Sequence, residues 1–392
     1  MQRTTNQRPL RLACQNKQAS LENRRFCRSG ILHHGDFRLN QLSKNTTLKD
    51  LIGISRSDHP VIKNPALHTM GDSLYEYLSI KMHNYIFEKR YKRIIVVGMY
   101  DRTKEIATNE KGRKQFNWQR PTAELLGDDL IIKCPIGAEY IQHYASLIGS
   151  YLYLIGKDGS CVSYCPPTEE ECRDFIETSN LKHILPSEFV IYGFGLPQVT
   201  KIKQWKGGGP FWWTKKKIRD TEVTFLGCDY CVWGDISGRM VKYLAEKKKI
   251  KKFIYVGKLG SLKPFCPPNT HLATGNRSLI HGKPVEWDGL FDEVPQDDVL
   301  KKGVHVTLPS TIMETKEWVE RLNGAYDFID PEIGHMGTAA KNAGIKYGYM
   351  HIISDNLAQK FPEDLSNERK NSVLAKRGVL LNKIKTIIES IC

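Results

Sequence analysis

The sequence predicts an α/β protein, with two α/β domains behind a basic N-terminal tail, and three observations carry that prediction. Short β-branched and aromatic runs alternate with longer segments of helical character from residue 72 onward. The densest example is residues 326–356, where two apolar runs flank a stretch of small residues. At 392 residues, with 40% hydrophobic and 10% aromatic content, the chain is globular and long enough for two domains.

Residues 1–65 are polar and basic without clear periodicity, with Arg3, Arg8, Arg11, Arg24, Arg25 and Arg28 against one early acid, Glu22. A disordered tail, an arm for nucleic acid or a membrane surface, and an organelle-targeting peptide all share that composition. From Asp72 a helix is expected (Leu74, Tyr77, Leu78, Ile80, Met82, Tyr85, Ile86), then a strand at 93–97 ending in Gly98. Strands are expected again at 130–134 and 151–155. Lys157-Asp158-Gly159 reads as a hairpin turn into 161–164. Thr168, with acids in the turn after it, opens a helix to Thr178. Residues 72–185 thus read as a small α/β domain, and 188–392 as a second.

In the second domain, residues 203–217 (KQWKGGGPFWWTKKK) mix lysines with Trp205, Phe211, Trp212 and Trp213. The glycines 207–209 lack the G-K-[ST] ending of a phosphate-cradling loop. The tryptophans either form a flap stacking on a base or pack a seam, and packing is favoured. A helix is expected from about Ser237, with the basic run 247–252 at its end, where cations suit the helix dipole. Residues 326–329 read as a strand, 333–343 as a helix stopped at Gly344, and 347–353 as another strand. A crossover of that length implies parallel strands. Glu332 and Asp355 would then lie just beyond strand ends on one edge of the sheet, where open α/β sheets bind ligands.

At these residues the sequence resembles a known family. D-P-E at 330–332, a helix of small residues, an apolar strand and Ser354-Asp355 resemble the purine nucleoside and uridine phosphorylase superfamily. That superfamily carries an E-M-E or D-M-E signature followed by a strand ending in S-D. Residues 252–262 (KFIYVGKLGSL) look like its central strand and glycine turn, with Gly257 and Lys258 on the turn. Residues 189–197 (FVIYGFGLP), including Gly195, look like its first strand and G-x-P turn. The C-terminal segment entered through Glu368-Arg369 looks like its final helix. The match spans about residues 188–392, a nucleoside phosphorylase-like mixed sheet flanked by helices.

The resemblance implies cleavage of an N-glycosidic bond of a purine-type nucleoside or nucleotide. Asp355 would be the general acid to the departing base, Arg369 its assistant, and Glu332 the holder of the ribose hydroxyls. Pro331, Gly257, Lys258, Gly195 and Ser354 would complete the substrate site. The family's phosphate ligands are replaced by Val199, Tyr255 and Lys258, so phosphate and water both stand as acceptors. Pro331 stands where the signature has Met, removing a donor and fixing φ. No cofactor is implied beyond inorganic phosphate as a co-substrate. Homo-oligomers are typical of the family.

Simpler roles exist for each residue. Ser354 or Asp355 would serve as a helix N-cap, Glu332 as an acid suited to a helix dipole, Arg369 as a solvated side chain, and His335 as a hydrogen-bonded one. Two functional alternatives follow: a non-catalytic nucleotide-binding module, and a nucleic-acid-binding protein. The net charge of +15, from 58 basic and 43 acidic residues, is concentrated in the first fifty residues and two lysine runs. Nucleic-acid binding wants basic residues interleaved with exposed aromatics on a recognisable fold, and only residues 203–217 have that look. No apolar run approaches the ~20 residues of a membrane span. Ten scattered cysteines, including a lone C-x-x-C at Cys228 and Cys231, suit structural thiols in a reducing compartment. Zinc on that motif would need a matching second pair. A cytoplasmic location is therefore expected, with organelle targeting as the alternative raised by the N-terminus.

Overall fold

The computed structural model describes residues 48–99, 121–322 and 324–392. The Arg-rich segment 1–47, which carries the tail and targeting readings, lies outside the described residues. The aperiodic stretch ends sooner than residue 65. Helix Leu48–Ile54 buries Leu51 against Ile95, Val97, Ile131 and Cys165, and Arg56 bridges to Tyr164.

The described strands form two sheets. The first contains β1 (Arg93–Val97), β2 (Thr122–Leu126), β3 (Asp129–Lys133) and β4 (Val162–Cys165), in the order β2-β3-β1-β4. β1 is parallel to β3 and β4, and β2 closes one edge antiparallel to β3. Helix Ala138–Leu154 makes the crossover from β3 to β4 and buries Ile141, Tyr144, Leu147 and Ile148 in the core beneath the sheet.

That helix corrects one expectation. Residues 151–154 are its last turn, not a strand, because a fully apolar run has the same composition in either state and its burial here is helical. Asp158 accordingly caps a loop, accepting from the Ser160 N–H at 2.9 Å, and β4 runs parallel to β1 instead of closing a hairpin. The helix expected from Asp72 breaks into Ser73–Ser79 and Tyr85–Glu88, with the Lys81 carbonyl between them accepting the Tyr144 hydroxyl. The Thr168 reading holds. Thr168 Oγ1 accepts from the Glu171 N–H at 3.2 Å, and Glu171 Oε2 accepts from the Thr168 N–H at 2.7 Å.

The second sheet comprises β5 (Phe189–Gly193), β6 (Phe211–Ile218), β7 (Thr221–Cys228), β8 (Lys252–Ser261), β9 (Leu272–Thr274), β10 (Arg277–Ile280), β11 (Lys283–Glu286), β12 (Leu300–Lys302), β13 (His305–Thr307), β14 (Phe328–Asp330) and β15 (Lys346–Asn356). β8 is its hub, parallel to β5 and β15 and antiparallel to β14. Side chains alternate across it. Phe253 and Leu259 join Tyr347, Tyr349 and Ile353 of β15 under helices Asp235–Lys248 and Ile333–Ala343. Ile254 and Val256 join Met350 and Ile352 under helix Asn371–Ile391. The sheet is covered on both faces, as its apolar strands require.

The pairing of β14 overturns the expected parallel crossover. β14 meets only the far end of β8, Phe328 opposite Ser261 and Ile329 opposite Gly260, and runs against it. β15 follows β8 in parallel along nearly its whole length. The rule for crossovers applies to strands of one parallel set, and here β8 stands between the two. Glu332 therefore does not leave the sheet on the same side as Asp355.

The tryptophan-rich segment packs. Trp205 meets Trp212 edge-to-face at 4.6 Å, and Trp212 Nε1 donates to Asp229 Oδ1 at 3.1 Å. A Cβ on Gly227 would lie 2.1 Å from the Trp212 ring, so the indole lies directly on the glycine of β7. The lysines of β6 line an edge strand, where charge discourages further pairing.

Candidate active site

Asp355 sits in a β-bulge. The register of β15 on β8 shifts between Ile353 and Asp355, leaving Ser354 as the extra residue and Asp355 opposite Gly260. Gly260 matters here, because a Cβ on it would approach Asp355 Oδ2 to 3.1 Å. Ser354 Oγ donates to Asp355 Oδ1 at 2.7 Å. Burial pushes the Asp355 carboxyl up to about 6, against the pull of Ser354 and the Lys258 charge, with Glu368 and Asp364 adding to the rise. The cap reading fails for both residues, since they lie within β15 and the next helix begins at Asn371.

Beside Asp355 lies a buried ion cluster. Lys258 Nζ, with a side chain 1% exposed, donates to Glu368 Oε2 at 2.6 Å, and Arg377 Nη1 reaches the same oxygen at 3.3 Å. Arg377 Nε donates to Asn269 Oδ1 at 2.7 Å. Burial lowers the Lys258 ammonium to about 7. Burial also works to raise Glu368, but Lys258, Lys81 and Arg377 outweigh it and hold that carboxyl down at about 2.

A narrow pocket opens onto Asp355. It is lined by Thr69, Met70, Glu314, Asp355, Phe361 and Asp364, among others. Glu314 is another carboxyl of this pocket, and burial followed by the Asp355 charge pushes it well above the usual range. Residues of the N-terminal layer roof the cluster. Ser73 Oγ donates to Asp364 Oδ2 at 2.8 Å, and Tyr77 Oη lies 3.2 Å from Thr311 Oγ1.

Glu332 is placed differently. It is buried, and Tyr255 Oη donates to its Oε2 at 3.4 Å. Burial, then the Asp330 charge, raises its carboxyl well above the usual range. It makes no side-chain cap for helix Ile333–Ala343. Asp330 does that, accepting from the N–H groups of Glu332 at 3.0 Å and Ile333 at 2.8 Å, while facing His305 at 3.1 Å and His351 at 3.6 Å.

The other expected residues scatter. Pro331 is half-buried between Asp330 and Glu332. Gly257 lies under the His351 ring and Gly195 against Leu381, each too close for a Cβ. Arg369 is exposed, and the arginine in the cluster is Arg377. The sequence does carry a signal for it. Val373, Arg377, Leu380, Leu381 and Ile384 share one buried helical face, and an arginine in such a stripe needs an acid partner. Glu314 and Lys81 have no comparable signal. Cys228 and Cys231 keep thiols that burial pushes up.

Fold and site together define an α/β chain with a mixed sheet covered by helices on both faces and a buried acid at the end of one strand. The chain is similar to the solved 5'-methylthioadenosine/S-adenosyl homocysteine nucleosidase of Campylobacter jejuni, at 12% identity over 53% of this chain and 98% of that one, with a TM-score of 0.42. It is similar to the Arabidopsis thaliana 5'-methylthioadenosine nucleosidase, at 14% identity over 53% and 95%, TM-score 0.42. A third is the futalosine hydrolase of Helicobacter pylori strain 26695, at 17% identity over 53% and 98%, TM-score 0.40. No protein-family model and no curated protein matches the sequence.

Proposed function

We propose that this protein hydrolyses the N-glycosidic bond of a purine-type nucleoside or nucleotide, with Asp355 as the general acid. The observation that supports this most is the Asp355 carboxyl itself, buried at the rim of a pocket and pushed up to about 6. A carboxyl poised there carries a proton for a good share of the time near neutral pH and gives it up readily. As the bond breaks, its electron pair goes to the base and the Asp355 proton goes to a ring nitrogen of the purine. Water adds to the anomeric carbon of the cationic sugar, and the proton it loses restores the acid. Ser354 orients the carboxyl. Glu314, whose carboxyl burial pushes upward in the same pocket, is placed to contact the ligand. Glu332, held by the Tyr255 hydroxyl and set apart from the residues that line this pocket, is given no part in the step.

Water is favoured over phosphate by what has become of the anion positions. Val199 is buried among apolar side chains, the Tyr255 hydroxyl is engaged by Glu332, and Lys258 by Glu368. A second reading, a non-catalytic nucleoside-binding module, is favoured by the narrowness of the pocket under the 69–77 segment.

The pH dependence tests the role of Asp355. The active form of Asp355 is protonated, and its value of about 6 lies above that of an ordinary aspartate. Base release is expected to be fastest below pH 6 and to fall tenfold per pH unit well above it. A rate that rises with pH through 6 would assign the reaction to a base instead.

A further inference from the structure

Outside this site, three side chains from three separate elements converge on one point. Glu139 lies in the first turn of helix Ala138–Leu154, His335 in the first turn of helix Ile333–Ala343, and His281 at the tip of the β10–β11 hairpin. Glu139 Oε1 lies 2.8 Å from His281 Nε2, and Glu139 Oε2 lies 2.9 Å from His335 Nε2. The ligating atoms of all three residues lie within 4.8 Å of one another. We infer that Glu139, His281 and His335 form a binding site for a divalent transition-metal ion of the zinc type.

Each contact taken singly is an ordinary histidine–carboxylate hydrogen bond, so the convergence has to carry the inference, and three features of the backbone support it. The two-residue turn at the hairpin tip places His281 at φ 48° and Gly282 at φ 73°. That turn type prefers asparagine at its first central position, and histidine accepts the left-handed region at some cost. The chain therefore holds an imidazole where turn chemistry alone would choose another residue. Gly234, at φ 60°, is open for the same reason: a Cβ there would lie 2.3 Å from Glu139 Oε2. Asp235 Oδ1 accepts from the Glu139 N–H at 3.2 Å and fixes the start of that helix. The carboxylate is thus seated from behind by the backbone, with both oxygens directed at the two rings.

The chemistry of the set selects the ion. Two imidazole nitrogens and one carboxylate oxygen suit zinc, cobalt, nickel or ferrous iron, whereas magnesium and calcium prefer oxygen alone. Around zinc the nitrogen–oxygen separations would open to roughly 3.3 Å, given bonds of about 2.0–2.1 Å in a tetrahedral arrangement. That is a small movement from the distances seen. The Glu139 and His335 side chains are 12% and 11% exposed and the His281 side chain is 64% exposed, so the site faces solvent and leaves a position for water. The bound ion would tie the helix under the first sheet to the hairpin and helix of the second.

The test uses the full chain, freed of metal with a chelator and titrated with Zn²⁺ and, separately, Co²⁺. The chain's ten cysteines are competing ligands, and the Co²⁺ spectrum separates nitrogen and oxygen ligation from thiolate charge transfer. His281→Asn preserves the left-handed turn and removes one ligand from an exposed position. Expected are one bound ion per chain with a nitrogen/oxygen-type Co²⁺ spectrum, and a loss of affinity of about tenfold or more in both His281→Asn and Glu139→Gln. No binding at micromolar metal, a purely thiolate spectrum, or equal affinity in the parent and His281→Asn would overturn the site.

Discussion

Asp355→Asn is expected to lower the rate of base release by about 10²–10⁴-fold, the usual contribution of a positioned general acid, while substrate affinity changes little. Asparagine keeps the shape of the side chain and can still accept from Ser354 Oγ, now 2.7 Å from Asp355 Oδ1. It has no proton to give to a departing base. The loss should therefore fall on the chemical step, and single-turnover kinetics alongside equilibrium binding separate the two. The fall in rate above pH 6 should vanish from whatever activity remains. A variant that binds poorly but turns over normally would make Asp355 a ligand contact and leave the acid elsewhere.

Glu368→Leu is expected to produce the largest loss of stability. It leaves Lys258 and Arg377, with side chains 1% and 4% exposed, without the carboxylate that faces both. Stranding buried charge in this way costs about 3–5 kcal/mol, read as a fall in the urea midpoint at unchanged slope. The sign of its pH dependence follows from Lys258, which burial already lowers to about 7. Without Glu368 its value falls further, and the ammonium sheds its proton more readily as pH rises. The destabilisation should be greater at pH 6 than at pH 9. Equal losses at both would mean that Glu368 acts through packing alone.

Much of the fold was legible because strand and helix signals agreed with local chemistry. The apolar run at 93–97 is β1, and the Thr168–Glu171 pair is a capping box. Gly344, at φ 64°, ends helix Ile333–Ala343. Errors arose where an apolar run had no polar positions to mark its period, or where pairing decided the direction of a strand. Residues 151–154 carry no polar face to betray their period, and β14 runs against β8 for reasons of pairing that no single strand encodes. The burial of Asp355 at the end of a strand was legible because the Ser354-Asp355 pair ends a long apolar run. The site was less legible elsewhere, since Glu314, Arg377 and Lys81 reach the same region from elements far apart in the chain. Arg377 shares the buried stripe of Val373 and Leu380 on the final helix, whereas Arg369 is exposed and lies just before that helix begins.

The most direct measurement is chromatography of purine and pyrimidine nucleosides and nucleoside monophosphates after incubation with the pure protein, with and without phosphate. Free purine base released at the same rate in both conditions is the predicted result. No base from any substrate would contradict the proposed hydrolysis and leave a binding module.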